Sequence, residues 1–257
     1  MSGHSKWHSI KHKKGKEDAK RGQLFGKLAH KITVAAREGG GNPDTNAALA
    51  TAVETARKYS LPMDNIKRAI AKGTGELKGG QLEQMSFEGY AADGVAVIVE
   101  VLTDNRNRAS SEVRHVFTKY GARIGETGSV AWIFERKGVF MVKQEPAHGE
   151  EELLEIALDA GADDLSAEGD YWEIVCDVEQ FRNVRDGLAA HSLEVESAEM
   201  TMMPKNTIKL NREGARKVLR LIDALEEIDD VGEVYANFDI PDEVLEEEAA
   251  ALGGSPA

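Results

Sequence analysis

The sequence predicts an α+β protein of several domains: a small N-terminal three-helix domain, then two α+β (ferredoxin-like) domains, one inserted in the other. Three observations carry this. Apolar residues up to Gly73 recur at helical spacing and are cut by short Gly- and Pro-containing breaks. Beyond a Gly-rich stretch, the period changes to that of strands. Residues 138–204 then run β-α-β-β-α-β, while the segments on either side each lack the elements to close a sheet.

Residues 1–19 form a basic arm. Lys6, Lys11, Lys13, Lys14 and Lys16 alternate with His4, His8 and His12 around one aromatic, Trp7, and Lys20 and Arg21 follow directly. The helical domain spans 20–73. Leu24, Leu28, Ile32 and Ala35 mark a first helix that stops at Gly39-Gly40-Gly41. Asn42-Pro43-Asp44 is expected to start a second, because proline suits a first helical turn. Leu49, Ala52, Val53 and Ala56 form its stripe, and Leu61-Pro62 ends it. Ile66, Ala69 and Ile70 mark a third. Residues 74–84, TGELKGGQLEQ, read as a linker.

Val95–Leu102 is a β-branched run suited to a central strand, and Val113, Val116, Phe117 and Tyr120 mark the helix after it. Ser129–Phe134 and Gly138–Val142 read as two strands. Helices follow around Leu153–Leu158 and Phe181–Leu188, with strands at 164–167, 172–178 and 195–203. A strand at 207–210, a helix through Ala215–Leu225 and a strand at 233–238 come last. Residues 85–137 and 205–240 together are therefore expected to make one discontinuous domain that holds the 138–204 domain as an insertion. Residues 241–257 read as an acidic, flexible tail.

Charge separates the chain into two parts. Residues 1–72 hold 15 Lys+Arg against 6 Asp+Glu, a net of +9. The remaining 17 basic residues, of 32, meet 39 of the 45 acidic ones, a net of −22. A cationic segment on an anionic body points to a polyanionic partner. No apolar run reaches the ~20 residues of a membrane-spanning helix, and the N-terminus has no apolar leader core. The single cysteine, Cys176, alternates with Trp172, Ile174 and Val178 on the core face of a strand, and suits a reducing cytosol.

Among candidate sites, Arg106 and Arg108 open the helix after the central strand, behind a capping Asp104 or Asn105. Two readings of them are open. A helix N-terminus with two guanidinium forks suits phosphate, and Arg114 would extend the patch; equally, both arginines suit a salt-bridged loop. His4, His8 and His12 share a helical spacing, but lysines surround them and no acid sits between them, so a metal is not expected. Gly121–Gly128 precedes a strand and lacks the Gly-Lys-Ser/Thr ending of a phosphate loop. No arrangement of acid, base and nucleophile is legible, so neither catalysis, a cofactor nor a small-molecule substrate is expected.

Several longer motifs complete the reading. SKWHSIKHKK (Ser5–Lys14), DAKR (Asp18–Arg21), TDNRNR (Thr103–Arg108), EVRH (Glu112–His115), GSVAWIF (Gly128–Phe134) and VYANFD (Val234–Asp239) occur in that order. The chain resembles the YebC/PmpR family in all six, from its first residues to about Pro241. The resemblance implies three domains with one α+β domain inserted in the other. It also implies a cytoplasmic, non-enzymatic, DNA-binding transcriptional regulator; related mitochondrial proteins are translational activators, and bacterial members are linked to ribosomes. The sequence departs from the family's usual turns at Ala91–Gly94 and Gly121–Ile124. The nucleic-acid contacts expected are Lys6, Trp7, His8, Lys11, His12, Lys13, Lys14, Lys20, Arg21, Arg106, Arg108 and Arg114, in a monomer that binds DNA, RNA or the ribosome.

Overall fold

The protein is described from a computed structural model that covers residues 18–77, 83–103, 105–144, 149–191, 193–241 and 244. Three helices open it: α1 (Asp18–Gly39), α2 (Ala47–Lys58) and α3 (Met63–Gly73). Their buried stripes, with Leu28, Ile32, Leu49, Val53, Ile66 and Ala69 at the centre, make one core. The second helix starts later than the sequence predicts. Asn42–Thr45 is a turn, in which the Asp44 amide donates to the Asn42 side chain, and Asn46 is the cap. Asn46 Oδ1 accepts from Leu49 N at 3.0 Å, while its Nδ2 donates to Ala35 O at 2.7 Å and Gly40 O at 2.9 Å. One buried amide thus caps α2 and ties off α1, which is why Asn46 sets the boundary and Pro43 does not.

The first sheet has the order β3-β1-β2-β9, all antiparallel: β1 (Glu83–Tyr90), β2 (Ala96–Thr103), β3 (Arg123–Ile124) and β9 (Val231–Ala236). The helices α4 (Arg106–Lys119) and α7 (Arg212–Glu226) cover one face, over Val95, Val97, Val99 and Val101. Strand β1 is absent from the sequence reading. Its sequence, EQMSFEGY, buries only Phe87, Glu88 and Gly89, so its alternating pattern is faint. The spatial order is that of a ferredoxin-like sheet in which the strand that would come third stands first in the chain.

The second sheet, β5-β6-β4-β7, has ferredoxin-like order with its elements in the usual succession: β4 (Phe134–Lys143), α5 (Glu150–Asp159), β5 (Asp164–Glu168), β6 (Tyr171–Asp177), α6 (Phe181–Ala190) and β7 (Val195–Pro204). All of these strands fall between β3 and β9 of the first sheet. A short parallel pair, β8 (Ile208–Lys209) with β10 (Phe238–Asp239), closes the return.

Ser129–Phe134 is not a strand. Ala131–Ile133 is a turn of 3₁₀ helix, and β4 begins at Phe134 and runs unbroken through Gly138. The apolar run serves as a cover instead. Val130, Ile133 and Phe134 lie over Ala96, Ile98 and Tyr235 on the face of the first sheet opposite its helices. Gly138 can sit inside β4 because Phe181 and Cys176 occupy the space of its missing side chain, within 2.6 and 2.8 Å of an added Cβ. At Ala91–Gly94, Asp93 takes a left-handed φ of 56° and sets its carboxylate against Gly214 in the first turn of α7, where the helix dipole favours an acid.

Candidate nucleic-acid interface

Residues 1–17, with Lys6, Trp7, His8, Lys11, His12, Lys13 and Lys14, lie outside the described residues. Lys20 and Arg21 fall in the first turn of α1, described by its backbone alone.

At the start of α4, Asn105 is the cap, and its side chain accepts from Arg108 N at 3.1 Å. Thr103 Oγ1 accepts from Asn105 N at 2.9 Å and donates to Asp230 at 3.0 Å. Arg108 lays its fork on the same carboxylate, with Nη2 at 3.1 and 2.9 Å from its two oxygens. Arg106 meets Glu83 at 3.2 Å. Both arginines therefore have acidic partners, as in the salt-bridged reading. Arg108 also lines a concave surface with Glu112, Glu227, Asp229 and Asp230, four carboxylates around one guanidinium, which is poor ground for a phosphate. Arg106 and Arg108 point about 200° apart around the helix, and Arg114 lies about 9 Å further along than Arg108. The three do not converge on one patch.

Part of the charge asymmetry is used inside the molecule. Lys31 Nζ lies 2.8 Å from Glu233 and 3.4 Å from Glu199, joining α1 to both sheets. Lys27 reaches Glu226 at 3.7 Å, and Arg136 reaches Glu38 at 3.1 Å. Burial alone would lower the Lys31 pKa, but Glu233 and Glu199 outweigh it and raise it well above the usual lysine value. Its neighbour His30 is the opposite case: burial, aided by Lys72 and Lys27, holds its pKa below the usual value against Glu233 and Asp230. Burial and the charge of Glu233 push the Glu100 carboxyl up, against the pull of Arg136.

Other cations face outward. Because Ile66 and Ala69 turn inward on α3, Lys67, Arg68 and Lys72 are exposed, as are Arg57 and Lys58 at the end of α2. The residue-by-residue reading of the sequence did not single them out, though the polar face of an amphipathic helix was the signal that could have found them. They leave α2 and α3 with a face of exposed cations and positive potential.

Among the described residues, no group of three or more His, Cys, Asp or Glu side chains is placed to hold a metal. No described helix is long and apolar enough to cross a membrane.

Two family models match: the TACO1/YebC protein N-terminal domain over residues 5–76, and the TACO1/YebC second and third domain over 82–238. A probable transcriptional regulatory protein of Rubrobacter xylanophilus is 57% identical over 250 residues, covering 97% of this chain and 100% of the relative. Another from Syntrophobacter fumaroxidans is 52% identical over 247 residues, with 96% and 99% covered. Among solved structures, that of a conserved hypothetical protein from Aquifex aeolicus is similar, with a TM-score of 0.77 and 48% identity over 87% of this chain and 92% of that one.

Proposed function

Because the chain belongs to the TACO1/YebC family, we propose that it is a cytoplasmic, nucleic-acid-binding regulator of gene expression, acting on transcription through DNA. The observation that carries this is the cationic segment of residues 1–72, whose described outward members include Arg57, Lys67, Arg68 and Lys72, while Lys27 and Lys31 are used in holding the fold. The names of the relatives support transcription as the process. The protein acts by binding, without catalysis, and needs no cofactor.

Binding is electrostatic. If the arm makes about four phosphate contacts, log K against log salt falls with a slope of about −3. Replacing Lys11, Lys13 and Lys14 with alanine flattens the slope and leaves the melting curve in place. An affinity that does not change with salt refutes the proposal. A second reading, a translation factor on RNA or the ribosome, is favoured by the exposed rings of Trp132 and Tyr90, since a single strand offers free base faces and a duplex does not. Sedimentation of native lysate after RNase or DNase treatment separates the two: loss of association with DNase alone supports transcription, and co-migration with ribosomes supports translation.

A further inference from the structure

Trp132 is the most exposed large apolar side chain among the described residues, at 64% of its full area. An indole left in water forfeits one of the largest hydrophobic gains a side chain can make. Its setting is nonetheless built. Indole Nε1 donates to Ser129 O at 3.1 Å, and the Tyr90 hydroxyl donates to the same oxygen at 3.0 Å. Two exposed rings are thus fixed by their polar edges to one carbonyl. The loop that carries it is pinned from below. Glu88, only 5% exposed, accepts from the amides of Gly128 at 2.7 Å, Val130 at 2.8 Å and Ala131 at 2.8 Å. Val130 and Ile133, before and after Trp132 in the chain, are buried in the core beneath the loop. The rings are held in place before any partner arrives, which removes an ordering cost from binding.

The surroundings decide what fits. Arg123 lies directly opposite Tyr90 in the strand register, so both side chains leave the same face of the sheet. Lys205 is joined by its own amide at 2.8 Å to the carbonyl of Ile133, the residue after Trp132. Both cations are exposed, and neither enters an ion pair with another described residue. Glu126 is the exposed acid of the loop, while the Glu88 carboxylate is taken up by backbone amides. Ala131 and Met202 are partly buried against the core beneath the loop, and the other large exposed apolar side chains among the described residues, such as Tyr59, Met63 and Leu158, lie on other elements. A protein-binding hot spot would be expected to have a wider apolar core. Two rigid π-faces flanked by unpaired cations match an unpaired nucleobase and its phosphates.

We propose that Trp132 and Tyr90, flanked by Arg123 and Lys205, form a stacking platform for unpaired bases of single-stranded nucleic acid. It rests on the nucleic-acid reading above and adds to it the part that distinguishes strands from duplexes. The arm supplies attraction, and the platform supplies preference for an open strand.

The test uses the full chain and three fluorescein-labelled 12-mers: single-stranded RNA, single-stranded DNA of the same sequence, and duplex DNA, each followed by anisotropy across a salt series. Trp132→Ala is expected to weaken single-strand binding roughly tenfold, with the salt slope unchanged because no phosphate contact is lost. Trp132→Phe retains most of the affinity, and duplex binding by Trp132→Ala matches wild type. A loss confined to RNA, or seen on both single strands, supports the platform and identifies its source. Wild-type affinity of Trp132→Ala for both single strands overturns it while leaving the electrostatic reading intact, as does an equal loss on duplex. If the wild-type chain binds none of the three, both readings fall. Far-UV circular dichroism of Trp132→Ala, unchanged for so exposed a side chain, shows that a loss does not come from unfolding.

Discussion

Replacing Glu88 by glutamine keeps its shape and removes its charge, which makes the loop clamp measurable. The carboxylate accepts three amide hydrogen bonds, one through Oε1 from Gly128 and two through Oε2 from Val130 and Ala131. A glutamine has one acceptor oxygen. Its better orientation keeps the Val130 and Ala131 bonds and turns an NH₂ toward the Gly128 amide, so donor meets donor. A hydrogen bond to a charged group contributes about 1.5–3 kcal/mol and a neutral one about 1. Losing one and weakening two gives about 3 kcal/mol, or a melting point lower by about 6–12 °C for a unit of 150–250 residues. The pH dependence adds a second signature. Burial alone would raise the Glu88 carboxyl, but the three amides hold it below its ordinary value of 4.5. The folded state then binds fewer protons than the unfolded state in that range, so the contribution is complete above pH 4.5 and is lost as pH falls through the folded pKa. Thermal melts of wild type and Glu88→Gln at pH 7 should therefore lie well apart and draw together as the pH is lowered below 4.5. A gap under about 0.5 kcal/mol at pH 7, or one that stays constant on acidification, would refute the clamp.

Three further outcomes follow from the packing. Lys31→Met and Glu233→Gln should each lower the melting point, and the double variant should lose less than their sum, with a coupling of about 0.5–3 kcal/mol; strict additivity would mean that the bridge does not tie α1 to β9. Gly138→Ala places a Cβ against Phe181 and Cys176, and should cost about 1–3 kcal/mol in urea titration; a neutral result would show that Phe181 can move. The Cys176 thiol, pushed up to about 11 chiefly by burial and further by Asp163 and Asp177, should stay inert to a disulfide reagent at pH 8 until urea unfolds the chain; rapid labelling of the native protein would contradict its place in the core.

Much of the architecture follows from local pattern. Leu28, Ile32, Leu49, Val53, Ile66 and Ala69 recur at helical spacing because each helix has one face to bury. The β-α-β-β-α-β order is legible because each of its elements carries its own period. The failures have physical causes. In SVAWIF, the apolar run after Ser129 buries Val130, Ile133 and Phe134 although Ala131–Ile133 is a 3₁₀ turn lying across the sheet, and a short apolar run has no periodicity to distinguish that from a strand. Strand β1 hides because Glu88 occupies a buried position that composition assigns to the surface, and Gly89 has no side chain to mark the alternation.

The three-helix start, the ferredoxin-like order of the insertion and the cationic segment are legible along the chain, because helical period, strand alternation and charge are properties of neighbours in sequence. How those charges and rings are used is set by the fold. It set Lys31 between Glu233 and Glu199, closed Arg108 onto Asp230, and buried Glu88 beneath the loop that leaves Trp132 in solvent. Each of these contacts joins residues far apart in the chain. Coulomb attraction and hydrogen bonding depend on distance in space, which spacing along the chain does not report.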